Sequence, residues 1–308
     1  MKRRNFLLQS GAMALGGLLS ANQLSASKLF NPAAMRPVGL GLFTLFNIID
    51  EDVTGNLKKV AALGYQEIES AFSKKGGYYG MKAQEFAKFT KDIGLAWQSH
   101  HVLGAPFKLP PGAKMPTGAD GKPITIPPMR NLRDNYQELV DEAAAGGVKY
   151  LVCANTPIGT LDEVKASIDV LNKSAEAAKK AGLIFCYHNH DAEFKKVEGQ
   201  VPYEMLLAQT DPNNLKMELD LAWAVKGGYD PVALFKKYPG RFPLWHVKDL
   251  TQDRQTIQPV GSGTIDFKTI FAQAKQAGMQ HFFVEHDMPA DPFASITTSM
   301  QNLKKLLS

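Results

Sequence analysis

The stretch LIFCYHNH (183–190) is an apolar run that ends in His188 and His190. Three later runs are built the same way: LKMELDL (215–221), FPLWHVKDL (242–250) and HFFVEHD (281–287). Their ends carry Glu218 and Asp220, then His246 and Lys248, then Glu285. Strands buried on both faces of a parallel sheet are apolar almost throughout, so ionisable groups at their ends need compensation. The gaps 188→220, 220→246 and 246→285 are 32, 26 and 39 residues, each about one strand–helix unit. Successive strands at that spacing bring the four ends to one place.

Working outward, the first half of the chain repeats the plan with VGLGLFTLF (38–46), YQEIES (65–70), LAWQSHH (95–101) and VKYLVCA (148–154). Amphipathic helical stretches fall at about 51–63, 82–93, 129–146, 162–181, 201–210, 230–238, 266–277 and 292–307. Glycines at 64, 94, 146–147, 182 and 278 precede the next strand, as left-handed helix caps do. Eight such units predict a single-domain (β/α)8 TIM barrel over residues 27–308. No G-x-G-x-x-G joins a strand to a helix, which argues against a dinucleotide fold. The Pro-rich connection 104–128 follows the third strand and falls on the face where barrel active sites sit. It reads as a substrate-covering loop or as an insertion, with Lys108, Lys114 and Lys122 as solvated charges or anion contacts.

The whole chain is basic, with 35 Lys+Arg against 30 Asp+Glu and a net charge of +5. Three of those charges are Lys2, Arg3 and Arg4, which open a cationic, Gly-diluted apolar segment with small residues at Ala21 and Ala26. That layout predicts a twin-arginine-like export signal over 1–26, an exported (periplasmic) protein and no stable membrane span after its removal. Without it the charge is 32 against 30, a net of +2, which removes the case for a nucleic-acid partner. Two Cys, Cys153 and Cys186, sit in strand-like runs and read as buried thiols, with a disulfide as the alternative.

His188, Asp220, His246 and Glu285 form a candidate divalent-metal set. Mixed imidazole and carboxylate donors suit manganese first, with cobalt, zinc and iron close behind and magnesium less natural. His190 reads as a ligand, a ligand's partner or a substrate contact, and Glu218 as an ion-pair partner of Lys248. Glu69 and His101, at the ends of the second and third strands, are candidate contacts to sugar hydroxyls. Trp97, Trp223 and Trp245 wall the pocket or pack the core.

The motifs HNHDAEF (188–194), MELDLAWAV (217–225), WHVKD (245–249) and FVEHD (283–287) together resemble the xylose isomerase-like TIM barrels over about residues 38–306. That group includes sugar and sugar-phosphate isomerases and epimerases, inosose dehydratases and apurinic-site endonucleases. The resemblance implies metal ligands from strands five to eight, typically Glu, Asp, His and Glu; the matching positions are His188, Asp220, His246 and Glu285. His188 departs from the pattern, and it cannot reproduce the two-glutamate proton shuttle of the ketose epimerases. The implied activity is a metal-dependent isomerase or epimerase acting on a small carbohydrate through an enediolate. A keto-glycoside lyase or dehydratase sharing the same proton abstraction is the alternative, and a non-catalytic sugar-binding barrel a further one. Glu285, His188 or His190 takes the proton, Lys248 stabilises or protonates an oxygen, and Glu69, His101, His190 and Lys248 touch substrate. Relatives of this kind often pair as homodimers.

Overall fold

Each apolar run becomes a strand because it can be buried on both faces, with a helix on one side and the barrel interior on the other. The computed structural model describes residues 36–106 and 129–307. The strands are β1 (Gly39–Gly41), β2 (Glu67–Ser70), β3 (Ala96–Leu103), β4 (Tyr150–Asn155), β5 (Ile184–His188), β6 (Leu215–Asp220), β7 (Leu244–Val247) and β8 (His281–Val284). They lie in sequence order, all parallel, and β8 closes on β1 to complete the barrel. The register sets His188 beside Glu218 and Asp220 beside His246, so strand ends far apart in sequence lie side by side. Tyr150, Val152, Cys186, Leu244 and Phe283 pack the interior below that level.

The helices start and stop where the side chains allow. Asp52, Thr160 and Asp266 cap first turns by accepting from the backbone N–H three residues on. Gly64, Gly94, Gly147, Gly182 and Gly278 all take positive φ, between 74° and 98°, as the sequence predicts for helix ends. Cys153 and Cys186 are free and buried, so the disulfide alternative is set aside. Trp97 packs on Tyr78 and Phe86, and Trp245 on Phe235; only Trp223 reaches the barrel mouth, near His190.

Several boundaries differ from the sequence reading. The first strand is three residues long, and Leu42–Leu45 form a 3-10 helix instead of continuing it. Both conformations bury Leu42 and Leu45, so the apolar run alone could not separate them. A short helix, Leu221–Lys226, follows β6 directly, and the expected helix at 266–277 is two pieces, Phe267–Phe271 and Ala274–Ala277. After β7 a small antiparallel ribbon pairs Asp249–Leu250 with Ile257–Gln258. Asp249 anchors this region by accepting from the backbone N–H groups of Gly261, Gly263 and Ile265. The expected export signal and most of the Pro-rich loop, including Lys108, Lys114 and Lys122, lie outside the described residues. Among those described, no helix is long and apolar enough to cross a membrane.

Candidate metal centre

Barrel closure brings the C-terminal ends of β5 to β8 together. His188, Asp220, His246 and Glu285 each offer one donor atom, all within 4.8 Å of one another, and all four residues are buried. His188 closes β5 and Asp220 closes β6; His246 lies within β7 and Glu285 directly follows β8. Asn189 holds this level by accepting from the Asp220 N–H at 3.1 Å. Asp220 divides its work between its oxygens: Oδ1 caps the helix Leu221–Lys226 by accepting from Trp223 N–H at 2.8 Å. Its Oδ2 faces His188 Nε2 at 3.4 Å.

The donor set suits an ion because its lone pairs are not otherwise used. Both ring nitrogens of His188, Asp220 Oδ2 and His246 Nδ1 are buried and make no hydrogen bond. His246 Nδ1 is 2.9 Å from Glu285 Oε2, and Lys248 Nζ is 3.1 Å from Asp220 Oδ2, but neither approach has hydrogen-bond geometry. Buried polar atoms normally find a partner, so three residues with unpartnered donor atoms beside Glu285 form a set that could hold a cation.

Beneath this level lies a second layer. Glu69 Oε1 is 2.6 Å from His246 Nε2 and 3.0 Å from His101 Nε2. His101 Nε2 is also 2.6 Å from Glu218 Oε2, and Ser99 Oγ donates to Glu69 Oε2. Glu218 is therefore not the partner of Lys248. The fully buried Lys248 ammonium instead reaches Glu285 and Asp287 at 2.7 Å each, besides Asp220. β6 is pleated so that Glu218 sits two residues deeper than Asp220 and meets β3 across the interior.

Burial would raise Glu69 and Glu285, yet the cationic rings and the ammonium beside them hold both carboxyls well below their usual range. Burial would also lower His101, but Glu69 and Glu218 push it up to about 10. Glu218 rises to about 7, through burial and then the Glu69 charge. His188, buried among other cations, falls well below its usual range and stays neutral, as a ligand must. A group raised on folding stabilises below its unfolded value and loses that contribution as the pH climbs to its folded value. The chelator-treated protein is therefore expected to lose on the order of 3 kcal/mol between pH 7 and 9.5 through His101. Urea unfolding at the two pH values measures it, and a flat profile would show that the imidazolium is absent.

A cleft at the upper level is lined by His101, His188, His190, Lys248, Glu285 and Asp287, together with Phe43 and Phe72. His190 and Lys248 thus stand in the cleft wall. The His101 ring reaches it too, although its Nε2 is committed to the lower carboxylates, while Glu69 faces the lower layer and does not line the cleft. The sequence reading gave no role to Ser99 or to the phenylalanine wall. Asp287 carried a signal, since it alternates with Glu285 on one face.

The profile of the xylose isomerase-like TIM barrel family matches residues 57–306. The chain belongs to that family. Among solved members, a sugar phosphate isomerase/epimerase from Parabacteroides distasonis ATCC 8503 is 29% identical, with a TM-score of 0.71 over 88% of this chain and 99% of its own. The IolI protein with a bound zinc atom shares the fold at 16% identity, TM-score 0.64, over 89% and 98% of the two chains. An inosose dehydratase of Geobacillus kaustophilus is 30% identical over 131 residues, 37% of this chain and 42% of its own length. The matches to such dehydratases span between 33% and 56% of their lengths.

Proposed function

We propose that this xylose isomerase-like barrel is a divalent-metal-dependent enzyme that removes the proton α to the carbonyl of a keto-sugar or keto-glycoside and completes a β-elimination. The sequence alone puts isomerisation or epimerisation first. The observation that moves the balance is that, among the described residues, β5 supplies His188 rather than a carboxylate to the donor set that includes Glu285, and Glu285 Oε2 already lies 2.7 Å from Lys248 Nζ. An epimerase needs proton-transfer groups on both faces of one carbon. Among the described residues, the cleft wall also carries an imidazole, His190, and the Lys248–Asp287 pair at 2.7 Å. One base and one acid fit elimination.

His188, Asp220, His246 and Glu285 would hold the ion, with manganese, cobalt or zinc best matched to two imidazoles and two carboxylates. A divalent ion bound there would supply Lewis-acid polarisation of the substrate carbonyl. His190 accepts the α-proton, and the C–H electron pair becomes the new C=C bond as the β C–O bond breaks. Lys248 gives a proton to the departing oxygen and is held in place by Asp287. Phe43 and Phe72 cover the apolar face of the sugar ring. The partial match to inosose dehydratases supports this reading. An export signal at 1–26 would place the reaction outside the cytoplasm, where glycosides rather than sugar phosphates are at hand.

The test is incubation of manganese-loaded protein with keto-glycosides in D2O, followed by ultraviolet absorbance and mass spectrometry. Metal-dependent formation of an unsaturated ketone with release of the leaving group is the expected result. Deuterium at the α-carbon without any unsaturated product would establish isomerisation or epimerisation instead. Neither, in metal-replete protein, would leave a sugar-binding barrel.

A further inference from the structure

Two sets of four donors share His246: the upper one described above, and Glu69, His101, Glu218 and His246 below it, whose donor atoms also lie within 4.8 Å of one another. The ring of His246 spans both. Its Nδ1 faces up, 2.9 Å from Glu285 Oε2 and 3.9 Å from Asp220 Oδ2; its Nε2 faces down, 2.6 Å from Glu69 Oε1.

The two levels differ in one respect. Below, three contacts set a donor against a carboxylate oxygen: His246 Nε2 with Glu69, His101 Nε2 with Glu218, and Ser99 Oγ with Glu69. Those three contacts have hydrogen-bond distances, and apart from His246 Nδ1, which faces up, only Glu218 Oε1 of the lower donor set is buried without a partner. Above, both ring nitrogens of His188, Asp220 Oδ2 and His246 Nδ1 make no hydrogen bond. An ion needs the second arrangement, and a proton-held layer is the first.

We propose that Glu69 is a positioning residue that keeps the proton on His246 Nε2, so that Nδ1 presents its lone pair to the ion. This rests on the metal reading of the upper set. Ser99 holds the other oxygen of Glu69, and the His101 ring runs nearly parallel to that of His246, centroids 5.1 Å apart at 10°. A carboxylate that accepts from the far nitrogen of a ligating imidazole fixes its tautomer and raises its basicity. Here that carboxylate comes from β2, and its supports from β3. Two strands that supply no ligand thus act on the ligand across the barrel.

Zinc titration by calorimetry, with chelator competition, tests this on the full chain. The wild type is expected to bind one ion, and Glu69→Gln about 10- to 100-fold more weakly. Ser99→Ala is expected to weaken binding in the same direction but less, which serves if Glu69→Gln does not fold. Glu67→Gln is the control: Glu67 shares the strand and face but is held by Gln98 and His281, and its affinity should stay within about twofold of the wild type. In zinc-loaded wild type, nitrogen NMR should show the His246 proton on Nε2, and Glu69→Gln should shift that signal upfield. A proton on Nδ1, or unchanged affinity in both Glu69→Gln and Ser99→Ala, overturns the proposal while leaving the metal site. Two ions in the wild type, one lost in Glu69→Gln, also overturns it and makes the lower layer a second site. A wild type that binds no zinc strikes the metal reading itself.

Discussion

Asp220→Asn is expected to abolish tight divalent-metal binding while leaving the protein folded. The two halves of that result come from different oxygens of one side chain. Oδ1 caps the helix Leu221–Lys226 by accepting from Trp223 N–H at 2.8 Å, and asparagine is as good a cap as aspartate. Oδ2 carries the charge toward His188 and Lys248 and makes no hydrogen bond. Asparagine replaces it with an amide NH2, which has no lone pair for an ion and faces the Lys248 ammonium. Losing a partner of a ligand costs 10- to 100-fold in affinity, so losing a ligand should cost at least about 100-fold. Manganese titration reads the loss, and turnover should fall with it. Circular dichroism should barely move, and Tm should fall less than in Lys248→Met, because Lys248 keeps Glu285 and Asp287. Asp220→Ala separates the roles, since it gives up the cap as well, at about 1 kcal/mol. Wild-type affinity in Asp220→Asn would remove Asp220 from the ligand set.

Asp220 was visible in the sequence because an apolar run leading to a carboxylate is unusual, and because the next such run followed at one strand–helix interval. The upper level was legible for that reason: its four residues occupy equivalent ends of consecutive parallel strands, and consecutive parallel strands are neighbours in a barrel. The lower level was not. Glu69 and His246 are 177 residues apart and meet only because the sheet closes. Glu67 and Glu69 share one face of β2, yet Glu67 meets His281 of β8 and Glu69 meets His246 of β7. Strand tilt and stagger decide that difference, and neither is written in a residue pattern. The same geometry gave Glu218 to His101 rather than to Lys248. β1 failed for a local reason: LFTL buries its leucines equally well as a strand or as a 3-10 turn.

Lys248→Met is expected to destabilise the metal-free protein strongly, and added manganese should restore more stability to the variant than it adds to the wild type. The ammonium is fully buried, 3.1 Å from Asp220 and 2.7 Å from both Glu285 and Asp287. Burial alone would lower its pKa, but the three carboxylates hold it well above the usual lysine value, so it is charged at any physiological pH. Methionine fills much of the same volume but leaves those carboxylates crowded without a counter-charge. Removing one partner of a buried ion pair costs about 3–5 kcal/mol, which in a chain of this size lowers Tm by on the order of 10 °C. Thermal unfolding in chelator reads that drop. A divalent ion can replace the missing charge for Asp220 and Glu285, so saturating manganese should recover most of the loss through linkage. It cannot replace the proton donor beside Asp287, and turnover should stay at least about 100-fold down. A variant as stable as the wild type in chelator would mean that the carboxylates protonate at no great cost. Recovery of both stability and turnover with manganese would make Lys248 a counter-ion alone and move the acid of the reaction elsewhere in the cleft.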